Sequence, residues 1–549
     1  MQDARSSSVV TRAAWGKTPA LGRRTGGLLT PAATAGAAFV ILLTLSPLLT
    51  IVAAALAGGS RALSTLISGA TLTLMGRTLL LATLATLWAL LLGVPPAWIL
   101  TRTDLPGRRF FRMLGVLPLA IPPYIGAFTY IALLGPVGLV NKAYHTMGGS
   151  GHLTNIYGLW GGVLVLGLFT YPYILLLAGS ALEGSDPALE EAARAAGCGP
   201  LGILLRVTLP LLRPSLLAGS LLVFLYALSD FGAVSFLRVP TFTTEIFHQL
   251  NTRFDQRSAA ALSSVLILMT TLVLVAQRRS LGRRRFVQRR GGARPPTLYP
   301  LGPWKLPALL CTYLVLGASV FLPVALLLYQ AGSPATLLRA LIAEHRSLWN
   351  SLWTAGVAAT AASGLGLVAA YLIERRKGPV GLLLTAATQL GYAIPGTVLG
   401  LSLILLYNTY VPWIYGTAVM VVVGYLLRYV PQAVQGSSAA LAQVNPNMEE
   451  AARALGRSGW QALQEVTLPL IRPGIAAGWM LVFISSMKEL SATLLLRPAG
   501  FDTLPVRIWI STIEVDFAGA AASSLLLIAT TALPLFVITR LDSGIPQFD

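Results

Sequence analysis

The chain has 549 residues, of which 55% are hydrophobic and only 11% are charged. Soluble domains carry roughly 25% charged residues, so this composition excludes an ordinary soluble protein and predicts that lipid surrounds much of the chain. The net charge of +20 does not indicate a nucleic-acid partner, because lysine and arginine also accumulate in the loops of membrane proteins. Cys198 falls in a predicted loop and Cys311 in a predicted span, which does not favour a disulfide.

Apolar runs of about 20 residues predict membrane-spanning helices, and the chain contains twelve of them. In chain order they lie near 32–57, 76–100, 113–134, 156–180, 215–236, 258–277, 306–330, 350–373, 380–407, 413–433, 474–496 and 517–539. The expected fold is therefore an all-α polytopic membrane protein, and the even division of the runs predicts two six-helix halves.

The positive charges orient these spans. If the N-terminus is cytoplasmic, the segments that face the cytoplasm hold 28 of the 40 lysine and arginine residues, which favours a cytoplasmic position for both termini. The predicted organisation comprises a basic tail at 1–31, a first half at 32–277, a basic linker at 278–305 and a second half at 306–549.

The two halves contain an internal repeat. Residues 190–219 and 449–478 align without a gap and share 17 of 30 residues, in predicted cytoplasmic loops at about 181–214 and 440–473. The halves are therefore expected to be pseudo-symmetric.

Each repeated loop predicts a short helix. An Asp or Asn caps it, a proline follows, two glutamates lie near the positive end of the helix dipole, and a glycine ends the helix in the left-handed conformation. A second helical segment is then expected to turn toward the next span at Leu209-Pro210 or Leu468-Pro469. A loop helix that lies on the membrane surface is the alternative interpretation.

The repeated motif E-A-A-x(3)-G-x(9)-[IV]-x-L-P resembles the signature loop of ABC importer permeases, and both copies are complete. The resemblance implies that each loop forms a coupling helix that docks on an ATP-hydrolysing subunit. It assigns this role to Glu190, Glu191, Ala192, Ala193, Gly197 and Pro210 in the first copy, and to Glu449, Glu450, Ala451, Ala452, Gly456 and Pro469 in the second.

Three further stretches, at 119–138, 229–237 and 488–504, are similar to those of fused ferric-iron permeases. That resemblance implies import of ferric iron delivered by an external binding protein. Fused thiamine permeases share the architecture and polyamine permeases are distant relatives, so both remain alternatives. A secondary transporter of the major-facilitator kind also has twelve spans and a basic central loop, although the doubled motif does not belong to it.

The chain is not expected to hydrolyse ATP itself. Gly16-Lys17-Thr18 matches the end of a phosphate-binding loop, but position 11 is threonine and no strand precedes it. The resemblance implies two copies of a separate ATPase subunit, which bind ATP and Mg, together with an external binding protein and the bacterial inner membrane. No stably bound cofactor and no nucleic-acid partner are expected.

Asp230 and Glu489 are ionisable residues of predicted spans, at repeat positions 259 apart. A pseudo-two-fold axis would place them on opposite walls of a central path, where carboxylate oxygens suit a hard cation such as ferric iron. The alternative is structural: Lys488 or an arginine neutralises Glu489, and Asp230 caps a helix break. Lys488 stands opposite Ser229 in the repeat and weakens a symmetric two-ligand site.

Several other residues are candidates to line the path or to bind a metal ion. The histidines lie in predicted outer segments with no standard metal spacing, so no metal ligand is assigned to them: His145, His152, His248 and His345. Three tyrosines are candidates to line the path, with packing as the alternative: Tyr124, Tyr173 and Tyr226. Prolines interrupt four spans and predict breaks or kinks there: Pro95-Pro96, Pro122-Pro123, Pro172 and Pro395.

Overall fold

The computed structural model describes residues 30–281, 298–375, 378–392 and 394–542. Within these ranges the regular structure is helical, and β pairing is limited to one isolated bridge between Thr103 and Tyr299. The all-α fold class predicted from the sequence is confirmed. The basic tail to residue 29, linker residues 282–297 and Ala393, two residues before Pro395, lie outside the described residues.

The first half contains long helices joined by short ones. Its α-helices are α1 Thr30–Ala57, α2 Gly59–Leu66, α3 Gly69–Arg102, α4 Arg108–Val116, α5 Pro123–Leu134, α6 Leu139–Thr146, α7 Leu159–Glu183, α8 Pro187–Ala195, α9 Pro200–Ile203, α10 Leu209–Ser229, α11 Gly232–Phe236, α12 Phe242–Asn251 and α13 Gln256–Leu281. A 3-10 segment at Leu117–Ala120 follows α4, and a π-helical turn at Leu204–Thr208 precedes α10.

The second half repeats this order. Its α-helices are α14 Lys305–Leu316, α15 Leu322–Ala331, α16 Pro334–Ala343, α17 His345–Arg375, α18 Pro379–Tyr392, α19 Gly396–Tyr410, α20 Ala418–Leu441, α21 Pro446–Ala454, α22 Gly459–Ala462, α23 Leu468–Met487, α24 Ser491–Leu496, α25 Leu504–Ile513 and α26 Phe517–Asp542. A 3-10 turn at Gly302–Trp304 precedes α14, and π-helical turns lie at Gly317–Phe321 and Leu463–Thr467.

The predicted spans are largely present. Eleven helices of the described chain are long and apolar enough to cross a membrane, and a bent pair, α18 and α19, brings the number to twelve. The breaks predicted at Pro122-Pro123 and Pro395 are present, whereas Pro95, Pro96 and Pro172 lie inside the helices α3 and α7. The run at 113–134 is interrupted between α4 and α5, and the run at 380–407 is bent by 106° between α18 and α19, because Pro122 and Pro395 lack the amide hydrogen that a continuous helix needs.

Two other spans end earlier than predicted. Helix α10 stops at Ser229 rather than at 236, and α23 stops at Met487 rather than at 496. In both places the chain leaves the helix for two or three residues and then re-enters a short one, α11 or α24. Asp230 and Glu489 therefore lie in helix breaks rather than inside helices.

The centre of each half is a packed triple of helices. Helices α3, α7 and α10 contact one another in the first half, and α17, α20 and α23 do so in the second. Glycines allow the closest approaches. A Cβ at Gly93 would lie 2.8 Å from the Cβ of Ile174, and one at Gly366 would lie 2.7 Å from the Cβ of Ala433. These contacts relate α3 to α17 by an offset of 273 and α7 to α20 by 259.

The first span of each half, α1 or the continuous segment from α14 to α15, also packs on the other half. Helix α1 contacts α17, α18 and α19, while α15 contacts α5. Ser402 on α19 donates a hydrogen bond to the carbonyl of Pro47 in α1 at 3.0 Å, and Tyr130 on α5 donates to the carbonyl of Ala318 at 2.9 Å. The two halves therefore interlock around their common interface.

Close packing at Gly366 predicts a loss of stability on substitution. Gly366→Ala would force its new methyl group against the Cβ and carbonyl carbon of Ala433, at 2.7 and 2.8 Å. We expect the variant to lose about 2 kcal/mol of stability, measured as thermal unfolding in detergent. Gly356→Ala on the same helix is the control, since nothing lies within 4 Å of its Cβ. Equal unfolding temperatures for the two variants would contradict the packing argument.

Candidate functional site

The repeated loops form capped helices, α8 and α21, as predicted. Asp186 accepts a hydrogen bond from the amide of Ala188 at 3.0 Å, and Asn445 accepts one from Asn447 at the same distance. Gly197 and Gly456 follow these helices with φ of 84° and 88°, in the left-handed region that favours glycine.

Glu190 does not face outward from α8. Its side chain is buried and accepts hydrogen bonds from the hydroxyls of Thr208, at 3.2 Å, and Tyr299, at 3.0 Å. The guanidinium of Arg102, at the end of α3, lies 3.5 Å from the same carboxylate and is fully buried. The first loop is therefore fastened to α3, to the start of α10 and to the chain just before α14.

Glu449 has the equivalent arrangement in the second half. It accepts hydrogen bonds from Thr467 at 2.8 Å and from Tyr371 at 3.3 Å. Arg375, at the end of α17, donates to it at 3.1 Å. A partly buried charged hydrogen-bond network of this kind holds a loop in one orientation. Glu190 and Glu449 thus anchor the loops, whereas the sequence placed them among the docking residues.

The outward faces of α8 and α21 carry the other motif residues. Glu191 and Glu450 are exposed, as are Ala192 and Ala451. Each helix adds one large exposed apolar side chain, Leu189 or Met448, which are 49% and 46% exposed. Ala193 is half-buried and Ala452 is buried, so the two alanines of each motif do not share one face.

The expected turns at Pro210 and Pro469 are wrong. The chain instead runs helically from α9 through the π-helical turn Leu204–Thr208 into α10, and likewise through Leu463–Thr467 into α23. Each proline lies at the second position of its α-helix. A π-helical turn shifts the hydrogen-bond pattern by one residue, so a proline without an amide hydrogen fits into a continuous helix.

A cavity of about 170 Å³ lies where the two halves meet, and both helix breaks open onto it. The three predicted path residues, Asp230, Lys488 and Glu489, line it together. The three candidate tyrosines line it as well, and the remaining polar lining residues are Arg428, Tyr429, Gln432, Ser229, Ser485 and Ser491.

Asp230 caps the short helix after the first break. Its carboxylate accepts hydrogen bonds from the amides of Ala233 at 3.0 Å and Val234 at 3.2 Å. Its own carbonyl accepts one from the hydroxyl of Thr243 at 2.6 Å. This is the structural alternative that the sequence offered for Asp230, and the cavity position is compatible with it because the residue also lines the open space.

Glu489 caps α24, the short helix after the second break, in the same manner, and it also forms an ion pair. It accepts hydrogen bonds from the amide of Ala492 at 3.0 Å and from the hydroxyl of Tyr429 at 2.6 Å. The guanidinium of Arg428 lies 3.0 Å from the same carboxylate oxygen that accepts the hydrogen bond from Tyr429. The partner is thus an arginine of α20 and not the adjacent Lys488.

Two cations also satisfy backbone carbonyls at the broken spans. Lys488 donates a hydrogen bond to the carbonyl of Leu119, in the interruption between α4 and α5, at 2.6 Å. Arg428 donates to the carbonyl of Ile394, at the bend between α18 and α19, at 3.3 Å. The Lys488 bond joins the two halves directly, from a residue that lines the cavity.

Two of the four histidines, His145 and His152, lie near each other. The rings of His145 and His152 lie 6.5 Å apart, and Nδ1 of His145 is 3.0 Å from the carbonyl of Gly149. Within the described ranges, no group of three or more His, Cys, Asp or Glu side chains could hold a metal ion.

Several site residues were missed from the sequence. Arg102, Arg375 and Tyr371 belong to the loop anchors, and Arg428 and Tyr429 belong to the cavity. Aligning α3 with α17 at an offset of 273 would have paired Arg102 with Arg375 and exposed the common anchor. The repeat could not have predicted the role of Arg428, because Phe169 occupies the equivalent position in the first half.

Two interlocked six-helix halves with paired loop helices and a shared central cavity are the features of a transport permease. The family model described as binding-protein-dependent transport system inner membrane component matches residues 85–286 and 362–545, and the chain belongs to this family. The double match excludes the major-facilitator alternative and confirms a fused, two-half permease.

Among curated proteins the chain is similar to ferric-iron permeases over both halves. It is 29% identical to the Fe(3+)-transport system permease protein FbpB 2 of Haemophilus influenzae, over 85% of this chain and 89% of that protein. It is 25% identical to the ferric transport system permease protein FbpB of Actinobacillus pleuropneumoniae, over 77% of this chain and 65% of that one. A single-half relative, the molybdenum transport system permease protein ModB of Escherichia coli, is 28% identical over 36% of this chain.

The ion pair at the cavity predicts a non-additive pair of mutations. Arg428→Met would leave Glu489 buried without its cation and should cost about 3 kcal/mol of stability, measured by thermal unfolding. Adding Glu489→Gln should recover most of that loss, because the buried charge is then removed. Arg112→Met is the matched control: its pair with Glu183 is 38% and 49% exposed, so its loss should cost less than about 1 kcal/mol. Additive losses in the double variant would contradict a buried, coupled pair.

Proposed function

We propose that this chain is the membrane-spanning permease of an ATP-driven importer of ferric iron, which an external binding protein delivers. The observation that carries the iron assignment is the similarity of both halves to ferric-iron permeases over most of their length. The anchored, outward-facing helices α8 and α21 support the importer mechanism, since they present two equivalent docking positions.

A separate ATPase subunit supplies the energy in this proposal. Two copies dock on the exposed faces of α8 and α21, through Glu191, Ala192 and their counterparts Glu450 and Ala451. Small alanines let a groove of the partner approach closely, and the exposed Leu189 and Met448 add apolar contact area. ATP and Mg bind to that partner and not to this chain.

Force on a docked loop reaches the cavity through one helix in each half. The buried glutamate holds the loop to Thr208 or Thr467, and α10 or α23 starts directly after these residues and ends at the cavity. Alternating access requires contacts that differ between two states. The Lys488 hydrogen bond to Leu119 joins the two halves and is our candidate for a contact that breaks when the halves rock.

Ferric iron is a hard cation and favours oxygen ligands. The cavity offers oxygen atoms from Asp230, the serines and several tyrosines. Glu489 is already paired with Arg428, whereas the hydrogen bonds that Asp230 accepts come from backbone amides. We therefore assign Asp230 the more direct role in passing the cation, with Glu489 and Lys488 shaping the charge around it.

The proposed orientation follows from the ATPase, which works where ATP is abundant. Helices α8 and α21 then face the cytoplasm, and both termini lie on the same side. The protein is placed in the bacterial inner membrane, where the binding protein approaches from the opposite face.

The central test measures ATP hydrolysis by this permease reconstituted in lipid with its ATPase partner. The binding protein is supplied empty, loaded with ferric iron, or loaded with thiamine. We expect stimulation by the ferric form alone, because only the correct loaded protein shifts the permease between its states. Stimulation by thiamine would keep the architecture and replace the substrate. A permease that assembles with no ATPase would overturn the importer proposal.

Bulky residues at the two loop glycines should uncouple hydrolysis from transport. In Gly197→Val/Gly456→Val, a β-branched residue must adopt φ near 84° and 88°, which disfavours the native loop about tenfold at each position. No atom lies within 4 Å of either new Cβ, so the effect acts through the backbone alone. We expect iron uptake per ATP hydrolysed to fall at least about tenfold.

The control for this double variant is Gly199→Val. That glycine is exposed in the first loop, also has open space around its Cβ, and does not need a left-handed backbone. It should transport like the unmodified protein. Normal uptake by the double variant would count heavily against coupling through these loops.

A further inference from the structure

The two loop anchors differ in the origin of one hydroxyl group. In the second half, Glu449 receives it from Tyr371, which belongs to α17 of the same half. In the first half, Glu190 receives it from Tyr299, which lies outside the helical core at the end of the linker. The other two partners are equivalent: Arg102 matches Arg375, and Thr208 matches Thr467.

The repeat explains why the first half lacks its own hydroxyl. The offset of 273 that pairs Gly93 with Gly366 and Arg102 with Arg375 pairs Trp98 with Tyr371. Tryptophan has no hydroxyl to offer at that position. The Tyr299 ring lies against the Trp98 ring, with centroids 6.0 Å apart, and its hydroxyl reaches the carboxylate of Glu190 at 3.0 Å. Trp98 and Tyr299 together thus occupy the place that Tyr371 fills alone.

The segment around Tyr299 is fixed to the first half by its backbone. The amide of Tyr299 donates a hydrogen bond to the carbonyl of Arg102 at 2.8 Å, and its carbonyl accepts one from the amide of Asp104 at 3.2 Å. The carboxylate of Asp104 accepts a hydrogen bond from the amide of Leu301 at 2.8 Å and pairs with Lys305 at 3.0 Å. The Leu301 amide, followed by Lys305, lowers the pKa of Asp104 below its ordinary value, so this clamp is charged at neutral pH.

Tyr299 also contacts the loop helix itself. The guanidinium of Arg194, on α8, lies 4.8 Å from the centre of the Tyr299 ring. Its repeat partner Arg453, on α21, instead lies 3.8 Å from Glu449 of its own helix. Burial raises the pKa of the Tyr299 hydroxyl, which keeps it a hydrogen-bond donor at physiological pH.

From this geometry we infer that Tyr299 is a positioning residue of the first coupling loop, so that the end of the linker, residues 298–305, governs one of the two ATPase docking positions and not the other. The statement about ATPase docking rests on the proposed function, whereas the positioning of α8 by Tyr299 does not depend on it. The two docking positions are then chemically unlike, although the motif that they carry is the same.

The test uses Cys198, which directly follows Gly197 in the first loop and is half-buried. The rate of its reaction with a water-soluble maleimide reports how firmly α8 is held, in the intact permease without any ATPase. Tyr299→Phe removes one hydrogen bond to a charged group and should raise the rate about tenfold. Tyr371→Phe is the matched control in the second half, and it should leave Cys198 unchanged.

A rescue variant separates the hydroxyl from general loss of structure. Trp98→Tyr/Tyr299→Phe places a hydroxyl at the position that Tyr371 occupies in the second half, and it should return the Cys198 rate to within about twofold of the unmodified protein. Cys311, in the spanning helix α14, should react at the same rate in every variant. A Cys198 rate that is the same in Tyr299→Phe and Tyr371→Phe would overturn the inference.

The same variants in the reconstituted transporter distinguish the two proposals. We expect Tyr299→Phe to lower the iron transported per ATP severalfold and the rescue variant to restore it. If the unmodified permease neither binds an ATPase nor transports iron, the proposed function fails while the labelling result still decides the role of Tyr299. If the unmodified complex is active and Tyr299→Phe changes neither labelling nor coupling, the inference fails alone.

Discussion

The requirement that backbone polar groups be satisfied in a hydrocarbon environment shapes the centre of this protein. Lipid offers no hydrogen bonds, so a spanning helix can break only where protein or a polar cavity replaces the lost partners. The breaks at Asp230 and Glu489 meet this condition, because each carboxylate caps the amides of the helix that follows. Lys488 and Arg428 satisfy the same condition, because they donate hydrogen bonds to backbone carbonyls at the broken spans. The charged residues of the cavity are thus part of the fold itself.

One helix in each half, α10 or α23, connects the loop to the cavity. Helix α10 has 21 residues and spans about 30 Å, from the threonine that holds Glu190 to the break at Asp230. Helix α23 makes the same connection in the second half. Both pack within a helix triple whose glycines permit close backbone contact. Helices α1 and α15 contact the opposite halves and hold the two triples together.

Near-symmetry makes the exceptions informative. Lys488 stands opposite Ser229 in the repeat, and both line the cavity, so the repeat does not reproduce this positive charge in the first half. Trp98 stands opposite Tyr371, and the chain compensates with a tyrosine from outside the repeat. In both places a fused chain has been free to differ between its halves, which a permease made of two identical subunits could not do.

The sequence by itself determined the membrane class, the twelve apolar runs, the repeat and the capped loop helices, because these depend on local composition and spacing. For example, local residue preferences were sufficient to predict the helix cap at Asp186 and the left-handed backbone at Gly197. The tertiary structure alone decided that Glu190 and Glu449 turn inward, that Arg428 pairs with Glu489, and that Tyr299 replaces a missing hydroxyl. Each of these depends on side chains far apart in the chain meeting in a buried place, where the cost of an unpaired charge or hydrogen-bonding group selects the partner. No local pattern records that choice.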